Sequence, residues 1–151
     1  MLALRKGEIW WLEQGGSLVS ALDLDGGSAR VVATGQQDPE ALVADDSSAF
    51  WTAYGAKGAI RTSDGAAVSE LWTSPDIGRT DLAIDGQSVY VANAKDGTIR
   101  RVSRAAGSVV ILAGLQNNPV SIAVDATNVY WANEGSTFGG TGGGIMKMPK
   151  P

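Results

Sequence analysis

The chain has no cysteine and no histidine among its 151 residues. Without cysteine there is no disulfide to staple the fold and no thiolate to serve as nucleophile or metal ligand. Without histidine the commonest general base, the usual partner of a nucleophilic serine and the commonest zinc ligand are all missing. The G-x-S-x-G turn that carries an α/β-hydrolase serine is missing too. Positive charge is the scarcer sign, with 12 Lys and Arg against 16 Asp and Glu and a net charge of −4. Such a balance leaves no basic footprint for nucleic acid or for an anionic membrane surface. No apolar run nears the roughly 18 residues of a membrane-spanning helix. The start, MLALRKGEIWW, turns charged too soon for a signal peptide. These absences predict a soluble protein, cytoplasmic by default and extracellular if the chain is part of a secreted one.

What is present is enough for a packed core. Hydrophobic residues make up 44% of the chain and charged ones 19%, the balance of a folded globular domain. The aromatic residues are spaced regularly. Trp10-Trp11, Phe50-Trp51, Tyr90-Val91 and Tyr130-Trp131 begin at positions 10, 50, 90 and 130. Five residues before each pair stand Arg5, Asp45, Asp85 and Asp125, and before those the small apolar runs Leu2-Ala3-Leu4, Leu42-Val43-Ala44, Leu82-Ala83-Ile84 and Ile122-Ala123-Val124. A repeat at this period is the signature of a modular architecture.

Within a unit, runs of four to six residues rich in Val, Ile, Tyr and Trp alternate with Asp-Gly and Ala-Gly turn signals, and no stretch sustains a helical period. The prediction is an all-β chain. Four antiparallel strands in forty residues make one blade of a β-propeller, with units at about 1–37, 38–74, 75–116 and 117–151 of one 1–151 domain. The last unit stops at KMPKP after its third strand. Alternation should send the two rings of each aromatic pair to opposite faces, one toward each neighbouring blade. Four blades are few, so the expectation is half of a larger ring, two copies making eight blades, with a closed four-blade ring or the remainder of a longer propeller as alternatives.

The segments IAVDATNVYWAN and IMKMP resemble the YWTD-type and NHL-like propellers through Pro119, Asp125, Tyr130, Trp131 and Asn133. The third unit matches at Asp85, Tyr90 and Asn93 but carries Val91 for the Trp. Ala53 and Glu13 replace the Asn in units two and one, and Arg5 replaces the Asp. The resemblance implies a fold rather than an activity, because such propellers serve as receptors, scaffolds, lyases and lactonases.

Asn93 and Asn133 are oxygen donors of the kind calcium takes, and some propeller lactonases of this resemblance gather such donors on the axis. Set against that, one polar residue repeated at one place in each blade is explained by strand-end capping. Asp45, Asp85 and Asp125 are expected to fold back on their own backbone as Asx turns. Asp25-Gly26-Gly27 reads as a hairpin turn, and Arg100, Arg101 and Arg104 as solvated edge charges. One stretch breaks the pattern. From Asn93 to Ile99 is six residues and from Asn133 to Ile145 twelve, so GSTFGGTGGG is an insertion of six. It runs from strand to strand and ends in Gly-Ile-Met, which excludes a phosphate-cradling loop. Ser136, Thr137, Phe138 and Thr141 within it are the candidate binding residues, because irregular loops on a regular scaffold carry recognition.

The expected function is a non-catalytic binding or scaffold module, its ligand a protein or a small molecule, with no obligatory cofactor. A calcium-dependent propeller hydrolase or lactonase is the rival. A half-propeller with self-assembly as its sole activity is the third reading.

Overall fold

The computed structural model describes residues 1–55, 57–135 and 142–151. They form fifteen strands in four antiparallel sheets, and their contacts divide them into two compact units, Met1–Pro75 and Asp76–Pro151.

The first unit holds two four-stranded meanders. One is β1 (Leu2–Arg5), β2 (Glu8–Glu13), β3 (Leu18–Asp23) and β4 (Arg30–Ala33); the other is β5 (Pro39–Ala44), β6 (Ala49–Ala53), β7 (Gly58–Ser63) and β8 (Val68–Ser74). The second unit repeats the plan with β9 (Thr80–Ile84), β10 (Ser88–Asn93), β11 (Thr98–Ser103) and β12 (Val109–Ala113). Its other sheet has three strands, β13 (Pro119–Val124), β14 (Asn128–Asn133) and β15 (Gly144–Pro149). Each strand pairs with its sequence neighbour, the arrangement that short turns permit.

Aromatic pairs organise the core of each unit. Because side chains alternate along a strand, Trp10 and Trp11 leave β2 on opposite faces. Trp10 packs in a cluster with Leu42 and Trp51 of the second sheet, and in the other unit Tyr90 packs with Ile122 and Trp131. In both cases the first ring of one pair meets the second ring of the next. Each buried ring contributes about 2–3 kcal/mol.

Three β-bulges sit at one repeat position. The register of the third strand against the fourth slips after Val19, Ile60 and Ile99. The extra residue falls on Val32, Leu71 and Leu112, and two of these, Val32 and Leu112, pack against the cores of their units. A bulge bends the outer strand and adds twist, here turning an extra aliphatic side chain inward.

The first turn shows how one position took a different residue. Lys6 and Gly7 both have positive φ, 46° and 81°, in a two-residue loop between Arg5 and Glu8. That is the primed turn favoured by strand twist, and glycine supplies half of it at no steric cost. With the turn built by backbone alone, no Asp is needed at its start. Arg5 stands there instead and reaches out to Glu8 and to the Ser47 and Asp64 carbonyls.

Candidate functional site

The polar chemistry concentrates at the turns joining the first two strands of each sheet, and at the opposite strand ends where the Asn residues stand. Asp45 Oδ1 accepts the Ser47 and Ser48 N–H groups at 2.9 and 3.0 Å. Asp85 Oδ1 accepts those of Gln87 and Ser88 at 3.0 and 2.9 Å, and Asp125 Oδ1 those of Thr127 and Asn128, both at 2.7 Å. This leaves Oδ2 of Asp85 and Asp125 to accept the hydroxyls of Tyr90 (2.9 Å) and Tyr130 (2.8 Å). The second sheet has Phe50 at the tyrosine position, which offers no hydroxyl.

Asp85 has a further partner. Lys150 Nζ lies 2.7 Å from Asp85 Oδ2 and 5.2 Å from the centre of the Tyr90 ring, while its backbone N–H donates to the Thr127 carbonyl. Lysine, both aspartates and Gln87 line an open cleft of about 460 Å3. Burial pushes the Asp85 carboxyl up, but hydrogen bonds from Lys150, Gln87, Tyr90 and Ser88 outweigh it and bring the pKa down to about 2. Burial, with the adjoining Asp85 charge, pushes the Tyr90 hydroxyl up to about 12. The Thr127 N–H, then Tyr130 and Asn128, hold Asp125 well below the usual carboxylate range.

A pH dependence follows. Between pH 4 and 2 the folded chain keeps Asp85 ionised where an unfolded chain would protonate it, so the folded state binds fewer protons there. The stabilisation is complete above about pH 4 and is lost as pH falls through about 2. Asp85→Asn should therefore lower stability at pH 7 by about 1–2 kcal/mol. The deficit should shrink at pH 2.5, as measured by urea unfolding at both pH values. An equal deficit at both would assign the effect to shape rather than charge.

Of the two asparagines singled out as oxygen donors, Asn93 is buried and its amide is fully engaged. Oδ1 accepts the Gly78 N–H at 3.1 Å, and Nδ2 donates to the Asp76 carbonyl (2.8 Å) and to Asp96 Oδ1 (2.9 Å). Asn133 Nδ2 donates to Gln116 Oε1 at 3.1 Å, and its Oδ1 has no hydrogen-bond partner among the described residues. The described residues contain no group of three or more acidic side chains placed to hold a metal ion. Glu13, at the same repeat position, accepts from Trp11 Nε1 (3.1 Å) and Ser20 Oγ (2.6 Å).

Sequence reasoning missed a pairing of indole with glutamine. Trp51 Nε1 donates to Gln36 Oε1 at 2.9 Å and Trp131 Nε1 to Gln116 Oε1 at 2.8 Å, each glutamine fifteen residues upstream. In the third sheet Val91 replaces the Trp, and Asp76 stands in place of the glutamine. The signal was there as Gln36, Asp76 and Gln116 at forty-residue spacing, but it required comparing positions in two registers at once. Arg100 was expected in solvent. It is buried and ion-paired with Asp96, because its strand position faces inward.

The register Asn133↔Gly144 places ten residues in the loop where Asn93↔Thr98 leaves four. Ser136, Thr137, Phe138 and Thr141 of that loop lie outside the described residues. No helix among the described residues is long and apolar enough to cross a membrane.

The structure is similar to a chain in the crystal structure of a nidogen/laminin complex, with TM-score 0.75 and 23% identity over 87% of this chain. It is similar also to the computationally designed Ika4 protein, with TM-score 0.74 and 20% identity over 98% of this chain. The sheets are β-propeller blades. The designed Ika8 protein matches as well, with TM-score 0.70 and 17% identity over 87% of this chain. The match takes in 54% of the nidogen/laminin chain, 88% of Ika4 and 42% of Ika8. A four-blade propeller segment of this size thus occurs both as nearly a whole chain and as under half of one. No protein-family profile and no curated sequence matches the chain.

Proposed function

We propose that the chain is a non-catalytic β-propeller scaffold of the YWTD type that completes its ring by self-association and binds a ligand through loops on one rim. One observation carries the self-association. Leu42 and Ile122, two repeats of forty apart, are 3% and 6% exposed within the cores of their units, whereas Leu2 at the same place in blade one is 63% exposed. Leu4 is exposed as well. Adjacent apolar side chains left in water on a sheet face mark an interaction surface. The scaffold reading is supported by the carboxylates with the strongest shifts, Asp85 and Asp125, each of which is spent on its own turn and on a tyrosine. The loop between β14 and β15, longer by six residues than its counterpart, is the element left for recognition.

Light scattering at two concentrations tests the reading. One chain weighs 15.6 kDa, so the expected mass is about 31 kDa for the two-copy ring. A mass of one chain at both concentrations would exclude self-association.

A further inference from the structure

We infer that the surface covering blade four is blade one of a second copy of this chain, with Leu2 and Trp11 of each copy entering the concavity on the other's fourth blade. The inference rests on the self-association reading and adds which face meets which.

The fourth blade offers a socket. Ala123, Tyr130, Trp131, Ala132 and Ile145 line an apolar concavity of about 140 Å3. Ile145 pairs with Ala132 as Ile99 pairs with Ala92 and Val19 with Leu12. Val19 and Ile99 are 0% exposed, while Ile145 is 77% exposed. What covers the equivalent places is visible inside each unit. Val19 shares a core with Leu42 and Trp51, and Ile99 with Ile122 and Trp131. Leu2 and Trp11 are the residues forty before Leu42 and Trp51, and they lie on the face of blade one whose aliphatic side chains stand in water. Two surfaces of one chain are therefore incomplete in complementary ways, the condition for a closed two-fold pair with two like junctions.

A polar detail agrees. Asp81 Oδ2 accepts the Ile122 N–H at 2.9 Å, and Met1 Sδ lies 3.3 Å from the Leu42 nitrogen. At both junctions a side chain forty-one residues upstream meets the N–H at the same repeat place of the next inner strand. Ser121 holds that place on blade four. Its hydroxyl proton goes to Asp81 Oδ2 at 3.1 Å, which leaves its lone pairs to accept from Leu2 N–H of a second copy.

Because the chain has no cysteine, single thiols report the pairing without background. Leu2→Cys and Ile145→Cys change exposed side chains, so neither disturbs a core. After subunit exchange, a short bis-maleimide should cross-link the mixture of the two variants and neither variant alone. Cross-linking of Leu2→Cys with itself, in samples of two-chain mass, would overturn the pairing and leave self-association standing. One-chain mass in every sample, with an intramolecular cross-link in a chain carrying both Leu2→Cys and Ile145→Cys, would overturn both in favour of a closed four-blade ring.

Discussion

Replacing Trp51 with alanine is expected to destabilise the Met1–Pro75 unit by about 3–5 kcal/mol, a large fraction of the roughly 5–15 kcal/mol that holds an ordinary domain folded. Trp51 is fully buried and stands in the same cluster as Trp10, Leu42 and Val19. Its removal opens a cavity that sheets fixed by their own ladders cannot close, and lost contacts on that scale set the upper part of the range. A second cost is polar. Gln36 is itself buried and its Oε1 accepts the indole N–H at 2.9 Å, so alanine would leave a buried carbonyl oxygen without that donor, worth about 1–3 kcal/mol within the total. Trp51→Phe separates the two effects, keeping most of the volume and losing the donor, and should fall between wild type and Trp51→Ala. Urea unfolding followed by far-ultraviolet circular dichroism checks both. A loss under about 1 kcal/mol for Trp51→Ala would mean that the core is not organised around this ring.

The architecture was legible because it is written redundantly. An aromatic pair, a small apolar run and an Asp turn recur three or four times each forty residues apart, so a deviation in one unit is corrected by the others. The deviations needed the structure. Arg5 breaks the Asp pattern, and no local rule says that a Lys-Gly pair with positive φ makes the Asp dispensable until the turn is seen to close on two residues. The exchange of Trp for Val91 looks like a loss until Asp76 is found where Gln36 and Gln116 stand. Lys150 reaches Asp85 across 65 positions of sequence, a contact set by how the last blade packs on the third and by no spacing within either. Arg100 and Arg101 shared one reading by sequence, yet strand alternation gives one a buried ion pair and leaves the other half-buried on the opposite face. Periodicity carries the fold; single polar contacts depend on tertiary placement.

Leu2→Asp is expected to abolish self-association while leaving the blades folded. In the proposed two-copy ring Leu2 would be buried at both junctions, and burying a leucine contributes about 1.5–3 kcal/mol at each. Losing both amounts to about 3–6 kcal/mol, a weakening of roughly a hundredfold to ten-thousandfold in Kd. An aspartate pushed into the apolar socket of Ile145, Tyr130 and Ala132 adds desolvation of a charge, offset in part by Lys147, whose ammonium lies 5.4 Å from the centre of the Tyr130 ring. The control is Leu115→Asn. Leu115 is the most exposed large hydrophobic residue among the described residues and has a φ of 55°, a conformation that asparagine tolerates. It lies outside the strands that carry the two incomplete faces, so its replacement should leave the dimer intact. Sedimentation equilibrium, with circular dichroism to confirm folding, reads the result directly. If Leu2→Asp and Leu115→Asn weaken the dimer equally, the association is non-specific hydrophobic contact. If Leu2→Asp alone gives a folded monomer, the missing neighbour of blade one is the second copy.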